Sequence, residues 1–351
     1  MGMPREGFGE KGREIEQHLL QRIRDGRLKP GDRVASDAQL AKRFGVTAIT
    51  ASKALAGLAA RGVLTRRRGA AGTIVSPHLG ALGTVGFIMG PFTSSYFWRI
   101  LIGASDALTA RGYGVHYINP NLALADGSLW PRVADPPYVG IICVLQIPPV
   151  QLPMPTVVVD CDTTSVCPYP TVNCDNEGGG YEMGKHLLEA GHREIVFIKF
   201  ARQGTTAAKR AEGFVRALRE QGVQRAERRV FYCESGSSTI PAIVHEARRQ
   251  FPRLTAIATA SDILAADVLR TLAHEKVRVP GEISVTGFGN LEEMHVTHRI
   301  TSIDQHPQHL GSQAAAMLLD WVARPDERPP SRVIPCHLVR GDTVAVIRRH
   351  N

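Results

Sequence analysis

The sequence lacks the features of a membrane protein, a secreted disulfide-bonded protein or a zinc protein. No apolar run approaches the ~20 residues that span a bilayer, and polar residues 1–17 lack the apolar core of a signal peptide. The six cysteines include no CxxC pair, which disfavours a zinc site. We therefore expect a cytoplasmic protein with reduced thiols, no membrane contact, no metal and no other cofactor.

Motifs of the common enzyme classes are also missing. The sequence has no P-loop, no GxSxG and no HExxH, and the glycines at 178–180 are not followed by GK. We therefore expect no enzymatic activity. An α/β enzyme or a transporter's solute-binding protein, acting on a small polar ligand, remains the alternative, because α/β layers serve many functions.

Positive charge is concentrated at the N-terminus. The 351-residue chain has a formal net charge of +9, and residues 1–76 hold 15 Lys and Arg against 7 Asp and Glu. The rest is nearly neutral. This asymmetry predicts a basic module over 1–76 that meets a polyanion, a connector over 77–83 and a neutral module over 84–351.

The basic module has the pattern of a winged helix-turn-helix. Apolar residues recur at helical spacing in three segments, EIEQHLLQRIRDG, DAQLAKRF and AITASKALAGLAARG. Ser36-Asp37 offers an N-cap for the second helix and Thr47 for the third, while Gly26 and Gly45 end the first two. Residues 62–65 and 73–75 predict two strands joined by a basic turn, which is a wing.

The predicted DNA contacts lie on the third helix and in the wing. They are Thr47, Ala48, Ile49, Thr50, Ser52, Lys53, Arg66, Arg67, Arg68 and Gly69. Three adjacent arginines repel one another at a solvated hairpin tip, the alternative interpretation, but are favourable where they neutralise phosphates. Replacing Arg66, Arg67 and Arg68 with alanine should therefore flatten the salt dependence of DNA binding.

The segment 28–75 resembles the winged-helix domain of the GntR family. The resemblance covers the PGD turn, the LAxxFGV helix, the TxxTxxxAL recognition helix and the RGxL step. Family members commonly carry arginine where this chain has Ala38, Ala48 and Ser52. The resemblance therefore implies a helix that reads fewer guanines, with the arginine wing carrying a larger share of the affinity.

The remaining chain predicts an α/β fold. Short Val- and Ile-rich strands alternate with amphipathic helices in two series, which is typical of parallel sheets covered on both faces. Two such subdomains would face each other across a cleft, with ligands at the carboxyl ends of the strands.

This part resembles the LacI/GalR regulators, most clearly at VNCDNEGGGYEMGKHLLEAGHREIVFI (172–198). The resemblance implies a periplasmic-binding-protein-like domain of two lobes. Lobe 1 is expected over 84–160 and 291–325, and lobe 2 over 161–290 and 326–347. The expected crossings between the lobes lie near 161–170, 288–300 and 325–333.

The resemblance also implies a set of ligand contacts. They are Tyr96, Phe97, Gln146, Asp160, Cys161, Arg210, Ser261, Asp262 and Asn290. Two alternatives stay open, because Tyr96 and Phe97 are also typical core residues and Asp262 is also a typical helix cap. Gly289 stands where the family usually has a ligand-binding aspartate, so the ligand class extends from sugars to nucleosides and other small polar molecules.

Together these patterns predict a ligand-responsive transcriptional regulator. The resemblance to both families implies a repressor of carbohydrate genes. Its partners would be double-stranded operator DNA and a small polar effector in the cleft. A homodimer is expected, because a pseudo-palindromic operator pairs two recognition helices and no heptad helix follows VAVIRRHN.

Overall fold

The computed structural model describes twelve stretches of the chain. They are residues 9–25, 27–60, 62–66, 72–76, 82–90, 94–120, 138–144, 151–161, 167–201, 205–234, 239–295 and 297–347. In these stretches, no helix is long and apolar enough to cross a bilayer.

The N-terminal module is the predicted winged helix-turn-helix. Its elements are α1 (Glu10–Arg24), α2 (Asp37–Phe44), α3 (Ala48–Ala60), β1 (Leu64–Arg66) and β2 (Thr73–Val75). The strands pair antiparallel, and the apolar stripes of the helices bury a common core that includes Ile15, Leu40 and Leu55. The three helices and two wing strands are thus confirmed, although Gly26 itself lies outside the described residues.

The caps of α2 show why the helix-turn-helix bends where it does. The Ser36 side chain accepts from the backbone N–H of Gln39, whose own side chain accepts from the Ser36 N–H. Gly45 ends the helix in the left-handed region at φ 64°, a conformation that costs glycine little. The turn into α3 is therefore encoded locally.

Two parallel sheets form the remaining chain, as predicted. In spatial order, the first contains β4 (Gly114–Ile118), β3 (Thr84–Ile88), β5 (Tyr138–Val144), β6 (Thr156–Val159), β7 (Thr171–Cys174) and β13 (Arg332–Ile334). The second contains β9 (Val230–Cys233), β8 (Ile195–Phe200), β10 (Ala256–Thr259), β11 (Ser284–Phe288), β12 (Thr301–Asp304) and β14 (His337–Val339). Among the described strands, only the β12–β14 pair of these two sheets is antiparallel.

Helices cover the sheets on both faces. They are α4 (Ser95–Thr109), α5 (Asn176–Glu189), α6 (Thr205–Glu220), α7 (Ile240–Gln250), α8 (Asp262–His274) and α9 (Pro307–Ala323). Helices α4 and α9 pack with the first sheet as lobe 1, and the other four pack with the second sheet as lobe 2. The central strands are buried along their whole length, which explains their continuous apolar sequence.

In each lobe, one helix pair packs through glycine. A Cβ added at Gly180 would overlap the Arg210 carbonyl oxygen, and one at Gly213 would overlap the Glu177 carbonyl oxygen. Gly103 and Gly311 bring α4 and α9 together in the same way. The close approach of α5 and α6 matters for the cleft, because it places Arg210 beside the start of α5.

The predicted crossings between the lobes are wrong, the first two by four residues and the third by one. The chain leaves lobe 1 after Cys174, returns after Asp304 and leaves again after Ile334. The expected ranges, all too early, were 161–170, 288–300 and 325–333. The error arose because β7 was not recognised as a strand, although its four residues are buried and pair with β6 and β13. Likewise β12 belongs to the second sheet, not to lobe 1.

Candidate functional site

The described part of the winged helix exposes the start of α3 and the residue before it. Thr47, Ala48, Ile49 and Lys53 are exposed, and the Ile49 side chain has 69% of its surface accessible. The opposite face, with Ala51, Ala54, Leu55 and Leu58, is buried. An exposed isoleucine beside a lysine suits thymine methyl groups and phosphates in a major groove.

The side chains of Thr47 and Thr50 are hydrogen-bonded to each other at the start of α3. The Thr47 Oγ1 accepts from the Thr50 backbone N–H at 3.2 Å and lies 3.0 Å from the Thr50 Oγ1. Thr47 thus caps α3, as predicted, and this hydroxyl pair fixes the start of the recognition helix.

Arg66 does not extend away from the fold like a wing-tip side chain. Its Nη2 donates to Asp37 Oδ1 at 3.1 Å and to Ser52 Oγ at 3.1 Å, so it bridges β1 to α2 and α3. The other predicted wing contacts, Arg67, Arg68 and Gly69, lie outside the described residues.

A second arginine at the wing escaped the sequence analysis. Arg33 forms a β-bridge with Ile74, adding a third segment to the two-stranded wing. Its guanidinium lies against Gly72, so closely that a Cβ at Gly72 would contact it. The segment LKPGDRV read as a turn, and only the pairing with β2 shows that its end is strand-like.

Tyr96 is buried beside the segments where the chain crosses between the lobes. Its hydroxyl accepts from Gln305 Nε2 at 3.1 Å and hydrogen-bonds Asp160. Burial, followed by the charge of Asp160, raises the pKa of Tyr96 well above its ordinary value. The phenol therefore stays protonated and donates to Asp160. Phe97 packs edge-on against it with ring centroids 5.1 Å apart.

Arg210 lies on the lobe 2 side of the cleft, and only 7% of its surface is exposed. Its Nε donates to Asn176 Oδ1 at 2.8 Å and its Nη1 donates to the Ala260 carbonyl oxygen at 2.7 Å. The guanidinium carbon lies 3.9 Å from the Phe288 ring centroid. None of these contacts is a salt bridge. The buried charge of Arg210 is therefore stabilised by two neutral acceptors and one aromatic ring.

These two residues belong to one hydrogen-bond chain that crosses the hinge. Gln305 Nε2, besides its bond to Tyr96, donates to Cys174 Sγ at 3.3 Å. The Cys174 thiol in turn donates to Asn176 Oδ1 at 3.3 Å, which also accepts from Arg210. The chain therefore runs from lobe 1 through two crossing segments into lobe 2.

Asp160 and Cys161 form a fixed turn at the carboxyl end of β6. Asp160 adopts φ 53°, and Asn173 holds the turn from the neighbouring strand. Asn173 Oδ1 accepts from the Cys161 N–H at 2.9 Å, and its Nδ2 donates to the Cys161 carbonyl at 3.2 Å. This bracing directs Asp160 toward Tyr96.

The remaining predicted ligand contacts are less available. Ser261 Oγ caps α8 by accepting from the Leu264 N–H, and Asp262 is fully buried with bonds from Ser302 and Leu291. Ser261, not Asp262, therefore caps α8, so the helix-cap alternative for Asp262 is wrong, and Asp262 is instead a buried acceptor for Ser302 and Leu291. Asn290 donates to Asp304 Oδ2 at 3.0 Å, and Gln146 lies outside the described residues.

Several residues of this region had no individual signal in the sequence. They are Cys174, Asn176, Glu293, Asp304 and Gln305. Asp304 ends the buried strand β12 and Gln305 directly follows it, which is the one pattern that could have indicated them.

Glu293 connects the two lobes at the edge of the cleft. Its Oε1 accepts from the Ser95 backbone N–H at 2.9 Å, and its Oε2 accepts from the Ser95 hydroxyl at 2.7 Å. Glu293 follows β11 in lobe 2, whereas Ser95 begins α4 in lobe 1. A carboxylate at a helix N-terminus is electrostatically favourable. Burial raises the pKa of Glu293, but the bonds from Ser95 and the charge of Arg99 outweigh this and lower it below 4.5.

Glu293→Ala should weaken the contact between the lobes. The carboxylate accepts both bonds only when ionised, so the contact is complete above the ordinary pKa and is lost as the pH falls through the lowered pKa. We expect the variant to have a larger radius of gyration than wild type at pH 7 by small-angle scattering, with the difference vanishing at acid pH. Glu292→Ala, at the exposed neighbouring position, is the control. Equal radii at pH 7 would contradict the assignment.

Fold and site together define a class of protein: a DNA-binding module joined to a two-lobed ligand-binding domain. Residues 11–75 match the gntR family of bacterial regulatory proteins, and residues 185–344 match the periplasmic binding protein-like domain. The chain therefore carries a gntR-type DNA-binding domain and a periplasmic binding protein-like domain, the pairing that the sequence predicts. It is a ligand-responsive transcriptional regulator, as predicted.

Two relatives and one solved structure agree with this assignment. The chain is 27% identical to the arabinose metabolism transcriptional repressor of Halalkalibacterium halodurans, over 88% of each chain. It is 28% identical to the HTH-type transcriptional repressor PurR of Pectobacterium carotovorum subsp. carotovorum, over 72% of this chain and 77% of the relative. A solved complex of the transcriptional regulator CelR with cellobiose has the same fold, with a TM-score of 0.67, 21% identity and coverage of 94% and 98%.

Proposed function

We propose that this chain represses carbohydrate-utilisation genes and that a small polar effector in the cleft changes its affinity for operator DNA. The observation that carries the proposal is the hydrogen-bond chain through Asp160, Tyr96, Gln305 and Arg210. Its members come from both lobes and from the hinge. A ligand that contacts them therefore distinguishes one lobe angle from another, which is the requirement for a shift in population. No catalytic step is needed.

The chemistry of the cleft favours a ligand with several hydroxyl groups. Carboxylates such as Asp160 and Asp304 accept hydrogen bonds from hydroxyls, while the Tyr96 and Phe97 rings offer apolar faces for a sugar or base ring. Gly289 supplies no carboxylate at the position where the family usually has one. Asn290, the next residue, donates to Asp304 and so keeps a carboxylate close to that position. The arabinose repressor and the CelR complex with cellobiose support a carbohydrate as the first class to test.

We propose a homodimer built on the outer face of α4. Trp98 and Ile102, one helical turn apart, expose 40% and 46% of their surface, and Tyr117 on the edge strand β4 packs against Trp98 at 5.8 Å between centroids. A second copy would cover this apolar edge. Two-fold pairing also places two α3 helices in successive major grooves of a pseudo-palindromic operator.

Coupling between the domains would pass through the contact of the winged helix with lobe 1. A cavity of about 560 Å³ lies there, between Leu28 and Pro30 of the winged helix and Tyr113 and Leu319 of lobe 1. A contact that is not tightly filled allows the two bodies to change their relative angle at low cost. We place the domain boundary in the connector 77–83, and the protein in the cytoplasm with its DNA.

Titration into labelled duplex DNA tests the proposal. The fragment comes from upstream of the regulator's own gene, and anisotropy is followed with excess competitor DNA at near-physiological salt. Specific binding that a monosaccharide, disaccharide or nucleoside releases or strengthens would support the proposal and identify the effector class. If no genomic fragment binds, with or without these ligands, the proposal fails.

Replacing Arg67 and Arg68 with alanine tests the phosphate role of the wing. Each phosphate contact contributes about 0.9 to the slope of log affinity against log salt, so the double variant should lower the slope by roughly 2. The measurement is the same titration at several salt concentrations. Replacing Arg225 and Arg228, two exposed arginines of lobe 2, with alanine removes the same two charges and controls for net charge, and a wild-type slope in the Arg67 and Arg68 variant would refute phosphate contact.

A further inference from the structure

The cavity between the winged helix and lobe 1 shares no lining residue with the cleft between the lobes. Its volume is about 560 Å³. Leu28 and Val75 of the winged helix form part of one wall. Tyr113 and Leu319 of lobe 1 form part of the opposite wall. All four side chains are at most 7% exposed, so the inner surface of the cavity is mainly apolar.

Charged side chains lie around the opening of this cavity. Lys29, between α1 and α2, and Arg111, between α4 and β4, line it and are exposed. Asp320, near the end of α9, also lines it and is exposed. Within the described residues, none of these three side chains forms a salt bridge. Two cations and one carboxylate give the opening a net positive charge, and one cation comes from each side of the cavity.

The walls and the opening together indicate a class of ligand. Cavities of roughly 300–1,000 Å³ at domain interfaces, with apolar walls and a few polar groups, are typical of small-molecule sites. The apolar walls favour a hydrocarbon body, and the cations at the opening favour a carboxylate through charge-assisted hydrogen bonds. A sugar fits poorly, because its hydroxyl groups would lose water against apolar walls without gaining hydrogen-bond partners. The ligand of this cavity therefore differs in class from the ligand expected in the cleft.

We propose that the cavity is a second effector site, for a small carboxylic acid with a hydrocarbon body. A carboxylate held between Lys29 and Arg111 would contact both the winged helix and lobe 1. Such a ligand binds the arrangement in this structure more tightly than one in which the winged helix has moved away from lobe 1. It therefore shifts the population toward this arrangement, and with it the affinity for operator DNA. The effect on DNA rests on the proposed function, whereas the binding of the acid does not.

Calorimetric titration of the full chain with decanoate tests the site. We expect saturable binding to a single site, and an affinity about 10-fold lower for decyltrimethylammonium, which has the same alkyl chain but a positive charge. Ala110→Trp places a large side chain at an exposed position of the cavity wall and should abolish binding. Ala273→Trp, at an exposed position near the end of α8 in lobe 2, is the matched control and should bind like wild type. If decanoate does not bind wild type at millimolar concentration, or binds Ala110→Trp equally well, the inference is wrong.

Replacing Lys29 and Arg111 together with glutamine tests the charge of the opening. The affinity for decanoate should fall by roughly 10-fold, and the preference over decyltrimethylammonium should disappear, because two exposed cations are lost while the apolar walls remain. Replacing Arg228 and Arg253, two exposed arginines of lobe 2, with glutamine removes the same charge and should change neither quantity. Thermal unfolding of each variant checks that it is folded. An unchanged affinity in the Lys29 and Arg111 variant would overturn the assignment to carboxylic acids.

The anisotropy titration with operator DNA tests the regulatory consequence. Decanoate should change the operator affinity of wild type by about 5-fold or more, and operator DNA should change the affinity for decanoate by the same factor. Ala110→Trp should respond to the effector of the cleft but not to decanoate. If decanoate binds wild type and leaves operator affinity unchanged, the regulatory part of the inference is wrong. If wild type binds no operator, the DNA-binding proposal fails, and calorimetry still decides whether the cavity binds the acid.

Discussion

Arg210→Met is expected to lower the free energy of unfolding by about 3–5 kcal/mol, because two hydrogen bonds from a buried charged donor are lost together. The substitution leaves Asn176 Oδ1 and the Ala260 carbonyl without their arginine donor in a buried site. Methionine fills most of the volume, so the loss reports the polar contacts more than a cavity. Urea denaturation of wild type and variant measures the difference.

The functional consequence of Arg210→Met is separable from its effect on stability. At temperatures where the variant remains folded, we expect DNA binding to be retained and the response to the effector to be lost, since the hinge chain is interrupted on the lobe 2 side. Arg216→Met is a suitable control, because Arg216 lies on the same helix but its guanidinium packs over the half-exposed Tyr181 ring. A normal effector response in the Arg210 variant would remove this residue from the mechanism.

The winged helix could be predicted from sequence because its determinants are local. Ser36 and Gln39 form a capping box three residues apart, Gly45 ends the same helix, and the wing strands lie seven residues from each other. Each of these signals acts within a few residues of the structure it specifies. The same holds for the alternating strands and helices of the lobes, where continuous apolar runs predict buried parallel strands.

The cleft could be predicted only in part, because its contacts join distant residues. Tyr96 and Arg210 were accessible through local motifs, but their partner Gln305 lies 209 residues from Tyr96. The Glu293–Ser95 contact spans 198 residues. The sequence around Cys174 was not recognised as a strand, and only sheet pairing shows that Cys174 ends one. Such pairings depend on the topology of the fold, which cannot be predicted from the spacing of residues along the chain.

Asp262→Ala is the second substitution with a large expected effect, about 2–4 kcal/mol of unfolding free energy. Asp262 Oδ1 accepts from Ser302 Oγ at 2.6 Å and its Oδ2 accepts from the Leu291 N–H at 2.6 Å. Both donors would be left buried without this acceptor. Because Leu291 directly precedes the segment that carries Glu293, the substitution should also loosen the contact between the lobes. Chemical denaturation and small-angle scattering measure the two effects.

The contribution of Asp262 to the free energy of unfolding changes with pH in a definite direction. Burial raises the pKa of Asp262 above 3.8, against the opposing effects of the bonds from Ser302 and Leu291. Between the unfolded and the folded pKa, the native state therefore binds more protons than the unfolded chain, and this part of the stability is lost as the pH rises through the folded pKa. Relative to Asp262→Asn, which does not titrate, wild type should gain stability as the pH falls from neutral toward 4. If the stability of wild type relative to Asp262→Asn instead falls over that range, the two donors hold Asp262 ionised and burial is the weaker effect on its pKa.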